Sequence, residues 1–253
     1  MPRIDLNCDL GEGAGHDAEL MPLITSANIA CGAHAGDEAT MRATVELALR
    51  HGVAIGAHPG FADREHFGRR ELPVTPMQAA ELVFRQVQCL QEIAFSMGAI
   101  VKHVKLHGAL YNMASRDRAL ADAIVQALWV TERTPVLFAL SGSELARTAC
   151  ANPDFVVANE VFADRTYQAD GSLTPRTRPD ALITDEQVAV AQVLRMIREG
   201  KVRATSGAEV TIAADTVCLH GDGAHAVAFA RRLRAELATA AVEVRSFARE
   251  SRE

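Results

Sequence analysis

Polar residues able to do chemistry recur along the chain in short clusters: Asp5, Asn7, Asp9 and Glu12, then His34 and Asp37, then His58. The series continues with Lys105 and His107, Glu160 and Asp164, and finally His220 and Asp222. Imidazoles and carboxylates of this kind serve two related purposes. They can ligate a divalent metal that activates water, or a His or carboxylate of tuned pKa can move protons directly. Both are hydrolytic in character. Any one of these histidines, taken alone, reads equally well as a hydrogen-bonded core residue or a helix cap. What favours chemistry is their recurrence at four separate strand ends. Arg69, Arg70, Arg176 and Arg178 add guanidinium groups that can grip a carboxylate or phosphate bidentately, although Arg178 reads better as a solvated loop residue. Cys8, Cys31 and Cys218 lie close to the polar clusters, but packing is the better reading, because a reactive thiol needs an electropositive pocket.

The elements that must position these groups are legible as short apolar runs ending in polar residues. They span Ile4–Asp9, Ala27–Cys31, Val53–His58, Val101–His107, Val136–Leu140, Phe155–Glu160 and Val217–His220, and read as buried parallel strands. Stretches with helical spacing alternate with them: Glu38–Arg50, Pro76–Met97, Arg116–Trp129, Ser143–Cys150, Asp185–Arg198 and Ala224–Leu237. Thr75 before Pro76 is an N-cap signal, and Gly52, Gly98 and Gly200 are stop signals. Seven strands, with Val242–Phe247 as a candidate eighth, suit an α/β fold of the closed β/α-barrel type better than an open doubly wound sheet. In such a barrel all carboxyl ends of the strands lie on one face, where loops build the site. Two irregular segments, Gly60–Pro73 and Asp164–Ile183, have the length expected of functional loops.

The chain has 253 residues, 49% hydrophobic and 23% charged, with a formal net charge of −6. This suits one globular domain over residues 1–253, since barrels of about 250 residues routinely form one unit. The negative balance argues against nucleic-acid and membrane-surface partners. Five scattered cysteines are not a secreted disulfide framework and fit reduced thiols in a cytoplasm. The first ten residues do not read as a signal peptide or anchor. No Walker-type phosphate loop or dinucleotide fingerprint is present.

As strings, Asp5-Leu-Asn-Cys-Asp-Leu-Gly-Glu12, Ser26-Ala-Asn-Ile-Ala-Cys-Gly-Ala-His-Ala-Gly-Asp37 and Ile55-Gly-Ala-His-Pro-Gly60 resemble the LamB/YcsF family. Phe67-Gly-Arg-Arg70, His107-Gly-Ala-Leu-Tyr-Asn112, Glu160-Val-Phe-Ala-Asp-Arg-Thr-Tyr167 and His220-Gly-Asp222 extend the likeness over almost the whole chain. Two positions depart from it: Leu106 stands where Pro is usual, freeing the backbone entering His107, and Ala33 stands where Phe is usual. The resemblance implies a seven-stranded, TIM-like barrel of the glycoside hydrolase and deacetylase-like group. It implies one component of a 5-oxoprolinase that acts with partner subunits B and C and opens 5-oxo-L-proline, a lactam, to L-glutamate. ATP is the implied co-substrate of the complex, hydrolysed to ADP and phosphate, so the implied assembly binds nucleotide.

On position and resemblance together, Asp9, His34, His58 and His107 are the expected catalytic residues. Asn7, Asp37, Lys105, Arg69, Arg70, Glu160 and His220 are the expected substrate-binding ones. If a divalent metal is held, its candidate ligands are Asp9, His34 and His58. Two other functions compete: a stand-alone metal-dependent deacetylase or amidase on a small amide, and a non-catalytic component that presents the lactam to its partners.

Overall fold

The computed structural model describes residues 1–131, 134–219 and 225–247. The chain enters with β1 (Arg3–Leu10) and a short α1 (Asp17–Leu20), then alternates through β2 (Ser26–Ala30), α2 (Glu38–His51), β3 (Ala54–His58), α3 (Pro76–Ser96) and β4 (His103–Lys105). Two consecutive helices follow, α4 (Gly108–Arg116) and α5 (Arg118–Trp129), before β5 (Val136–Leu140), α6 (Glu144–Cys150) and β6 (Val157–Phe162). After α7 (Glu186–Glu199) comes a small antiparallel hairpin, β7 (Lys201–Arg203) with β8 (Glu209–Thr211). The chain then runs through β9 (Thr216–Leu219), α8 (Ala226–Thr239) and β10 (Glu243–Val244).

Strands β1 to β6 and β9 pair in parallel, in sequence order, and β9 pairs back onto β1, so seven strands close a ring with helices around it. That closing pair, Asp5 opposite Thr216 through Cys8 opposite Leu219, excludes the open-sheet alternative. The candidate eighth strand shrinks to β10, which pairs only with Arg3 and Ile4 on the outer edge of β1 and does not enter the ring. Expected and observed helices agree closely because their boundary chemistry is explicit. Thr75 accepts from the Gln78 amide and Gln78 bonds back to the Thr75 amide, a complete capping box. Gly52 and Gly200 stop α2 and α7 in left-handed backbone. The strand expected over Val101–His107 is only three residues long, and His107 instead heads α4, a helix the spacing does not indicate. His220, the expected end of the last barrel strand, lies outside the described residues.

Along β1 the pleat sends Ile4, Leu6, Cys8 and Leu10 into the main hydrophobic core, and the alternate residues Asp5, Asn7 and Asp9 are also buried. The second set is polar and finds its partners across the sheet. Asp5 accepts from the hydroxyls of Thr25, Ser26 and Thr216. The Asn7 amide donates to Thr216 and Glu160, and the Asn28 amide donates to both Asn7 and Asp9. Buried polar groups are mostly hydrogen-bonded, and here most of them bond to one another in tiers that climb β1 towards its carboxyl end, with Glu160 Oε2 and His103 Nδ1 left without a hydrogen-bond partner among the described residues. At the middle tier His103 Nε2 bonds Asn28 Oδ1 (2.9 Å) and the ring stacks on Phe138.

Candidate active site

The carboxyl ends of β1, β3 and β4 set the site. Asp9, the penultimate residue of β1, receives the Lys105 ammonium from β4 on both carboxylate oxygens, at 2.7 and 2.9 Å. Lys105 is only 3% exposed. Burial works against its charged form, but the neighbouring Asp9 carboxylate outweighs that and raises its pKa above the usual lysine value. Lys105 therefore keeps its charge although it is buried.

One step along, His58 ends β3 and His107 caps α4. His58 Nδ1 lies 2.7 Å from the Lys105 carbonyl, and His107 Nε2 lies 2.8 Å from the Phe67 carbonyl. A carbonyl oxygen only accepts, so each of these nitrogens carries the hydrogen. The remaining ring nitrogens, His58 Nε2 and His107 Nδ1, face each other at 2.9 Å. Two neutral imidazoles would oppose lone pairs across that gap, so the arrangement calls for a shared cation, either a proton or a metal. Burial, with the two neighbouring imidazoles, depresses the pKa of His107, and burial depresses that of His34. Protonation is thus disfavoured where the lone pairs converge.

Glu12 completes the group. Its Oε1 lies 3.2 Å from His34 Nε2, 3.4 Å from His107 Nδ1 and 3.8 Å from His58 Nε2. The ligand atoms of Glu12, His34, His58 and His107 all fall within 4.8 Å of one another. The rings of His34 and His107 stack at 3.7 Å, and Phe67 packs edge-on against both. Gly68 lets the chain beside Phe67 pass close to these two rings. Its backbone is left-handed at φ +62°, and an added Cβ would lie 2.9 Å from His34 Cβ and 3.0 Å from His107 Cδ2.

A cavity of about 910 Å³ opens over the group, with Asp9, Glu12, Lys105 and His107 on its wall. Both irregular segments border it, the first through Arg69 and Glu71 and the second through residues from Arg165 to Thr177. Of the residues marked in the sequence, Asp9, His34, His58, Lys105, His107 and Arg69 are brought together here. Four described residues are not. Asp37 is exposed and caps α2 by accepting from the Thr40 amide. Arg70 turns towards Asp63, 3.5 Å away, and is absent from the cavity wall. Asn7 and Glu160 belong to the polar interior beneath the site. His220 lies outside the described residues. In the four-residue donor set Glu12 takes the carboxylate place, while Asp9, 3.3 Å from His58 Nε2, is bonded by Lys105 and Asn28. The buried thiols of Cys8, Cys31 and Cys218 are all pushed up by burial, Cys31 to about 12, which removes them as nucleophiles at neutral pH.

Phe67 and Arg165 do not stand out by residue type. Phe67 is signalled only by its place in the Gly- and charge-rich segment and by its string, and Arg165 by lying in the second long loop.

A sequence model of the LamB/YcsF family matches residues 4–252. A protein from Brevibacillus brevis, named as the A component of 5-oxoprolinase, is 51% identical over 96% of this chain and 98% of its own length. The crystal structure of a lactam utilization protein from Thermus thermophilus superposes with a TM-score of 0.89 at 43% identity, covering 97% of this chain and all of that one. A family 4 carbohydrate esterase from Streptomyces lividans shares the fold alone, with a TM-score of 0.52 at 10% identity over 96% of this chain and 91% of that one.

Proposed function

The chain belongs to the LamB/YcsF family, and on that premise we propose that it is the A component of an ATP-dependent 5-oxoprolinase, opening 5-oxo-L-proline to L-glutamate. Its partners are the B and C subunits, and the complex hydrolyses ATP to ADP and phosphate. With no phosphate loop in this sequence, the partners bring the ATP and the barrel carries out water attack and ring opening. A five-membered lactam is a resonance-stabilised amide, and phosphorylating its oxygen makes the ring carbon a better electrophile, which explains the coupling. The whole chain acts as one domain, and its five free cysteines fit a reducing cytoplasm.

The observation that carries the reading is the convergence of His58 Nε2 and His107 Nδ1 at 2.9 Å beside the Lys105–Asp9 pair, at the base of one cavity. Tetrahedral bonds of 2.0–2.2 Å place neighbouring donors roughly 3.4 Å apart. Contacts among Glu12, His34, His58 and His107 run from 2.9 to 3.8 Å, around this spacing, and all four ligand atoms lie within 4.8 Å of one another, so this donor set fits a divalent metal. Such an ion supplies Lewis acidity that lowers the pKa of water and polarises a carbonyl. The carbonyls of Lys105 and Phe67 hold the His58 and His107 rings in the tautomers that leave their inward nitrogens free. Water adds across the activated C–N double bond, its hydroxyl going to the ring carbon and its other proton to the ring nitrogen, and the Lys105 ammonium, fixed by Asp9, stabilises the negative charge carried on the phosphorylated oxygen. The C–N bond then breaks as the hydroxyl proton passes to nitrogen, giving the amine and an acyl phosphate, and a second water releases phosphate from that acyl group to leave the side-chain carboxylate of glutamate.

Reconstitution with B and C subunits, ATP and 5-oxoproline tests this. Glutamate should form, and His107→Ala and Asp9→Asn should each reduce turnover by about a hundredfold. Asparagine keeps the shape of Asp9, so loss of activity there is separable from loss of fold. Wild-type rates in both variants would remove the site from the reaction. Amide hydrolysis by the isolated chain without ATP would favour the stand-alone amidase instead. Elemental analysis should find a divalent metal that the double variant His34→Ala, His58→Ala no longer retains.

A further inference from the structure

The proposed substrate carries a carboxylate, and of the four arginines marked in the sequence for such a group, Arg69 and the exposed Arg176 reach the cavity wall while Arg70 and Arg178 do not. A further arginine is built into that wall. Arg165 lies three residues beyond the end of β6, lines the cavity and is only 5% exposed. Its Nε donates to the Ala181 carbonyl at 3.3 Å and its Nη2 to the Thr174 carbonyl at 2.6 Å. Both acceptors belong to the irregular segment 164–183, and Thr174 is itself fully buried. The guanidinium is thus pinned by neutral backbone oxygens, and no carboxylate bonds it among the described residues.

Its Nη1 makes no hydrogen bond among the described residues, yet it is not one of the polar atoms sealed from solvent. Burial, together with the nearby Arg176, lowers the Arg165 pKa to about 10, against the pull of Asp164. The group is still charged at neutral pH. Keeping a largely buried guanidinium without a bonded counter-ion is unfavourable. The other buried cation on the wall, Lys105, is already matched by Asp9. What Arg165 lacks is an anion arriving from the cavity.

Resting on the oxoprolinase reading, we propose that Arg165 binds the carboxylate of the lactam through its free Nη1 edge and so selects carboxylated lactams over neutral ones. The backbone clamp fixes the direction of approach. A carboxylate held there orients the ring relative to Lys105 and the imidazole group on the same wall.

The test compares 5-oxoproline with 2-pyrrolidinone, the same ring without its carboxylate. Wild type, Arg165→Gln and Arg165→Lys chains are each assembled with B and C subunits and ATP. The KM for 5-oxoproline and the inhibition constant of 2-pyrrolidinone are then measured. Arg165→Gln should raise KM by about tenfold or more, since a charge-assisted bond is lost, while the 2-pyrrolidinone constant stays within about twofold. Arg165→Lys keeps the charge but not the fork, so a smaller KM rise with the same unchanged constant is expected. It decides the matter if the glutamine variant does not fold. A parallel rise of both quantities would overturn the proposal, because it would mean that Arg165 only shapes the loop or grips a phosphoryl group that both rings can carry. An unchanged KM would overturn it as well. Both of those outcomes leave glutamate formation by wild type intact. A wild-type complex that makes no glutamate removes the oxoprolinase reading and this proposal together.

Discussion

Gly56 lies in the middle of β3, where an added Cβ would stand 2.0, 2.2 and 2.4 Å from three atoms of the His103 ring. That ring cannot retreat. It is stacked on Phe138 with centroids 4.3 Å apart and bonded to Asn28 Oδ1 at 2.9 Å. Gly56→Ala should therefore destabilise the fold by roughly 3 kcal/mol, the upper range for forced overpacking, as read from urea denaturation. His103→Ala in the same chain should recover part of the loss, since the two sites share one volume. Additive losses would show that the clash is relieved by other means. In the sequence this glycine reads as a turn or ligand-approach residue, because nothing local to Ile55-Gly-Ala-His58 refers to a histidine far along the chain. Asp9, Lys105, His58 and His107 are legible for the opposite reason: they stand at strand ends, and strand ends share a face whatever their separation in sequence.

Elements are legible where their boundaries carry their own chemistry. Asp37, Thr75, Ser143 and Asp185 each accept a backbone amide at the start of a helix, and the expected starts lie at or next to those caps. Helix α4 escapes because His107 offers no side-chain cap and the apolar run before it continues the strand pattern. The β7–β8 hairpin escapes because its strands are three residues long and mostly exposed. Asp37 shows how one residue type supports two readings, since a carboxylate beside His34 suits a substrate pocket and a helix N-terminus alike. The structure favours the cap: Asp37 is exposed and bonds both the amide and the hydroxyl of Thr40, which hold its pKa below the usual carboxylate value. Asp37→Ala should then cost about 1 kcal/mol of stability, the usual value of an N-cap, while leaving glutamate formation at the wild-type rate. A marked fall in turnover with an unchanged melting temperature would return Asp37 to the substrate site.

At the scale of the whole molecule, closure of the ring by β1 and β9, from opposite ends of the chain, creates a sealed interior that is polar instead of apolar. No local pattern announces that, and it has a consequence for stability. Burial, with His58 next, pushes His103 down to about 3 from its ordinary 6.5, and burial also lowers His34 and His107. As pH falls below 6.5 the unfolded chain gains up to three protons that the folded chain refuses, so stability contributed by these imidazoles is lost towards acid. Asp5 acts in the opposite sense. Burial raises it from 3.8 to about 6, so between those values the folded chain keeps a proton that the unfolded chain has released. That contribution is present at low pH and disappears as pH rises through 6. Glu160 is raised in the same direction, again by burial. His103 and His107, the most strongly depressed imidazoles, outweigh Asp5, while His34 and Glu160 pull in opposite directions, so unfolding takes up protons on balance between about pH 5 and 6. The metal-free protein should therefore lose stability as pH falls over that range, by on the order of 1 kcal/mol per pH unit in urea denaturation. Asp5→Asn removes one opposing group and should make the decline steeper below about pH 6. Stability that is flat or rising from about pH 6.5 to about 5 would mean that the interior imidazoles are already protonated in the folded barrel, and the facing nitrogens of His58 and His107 would then share a proton instead of inviting a metal.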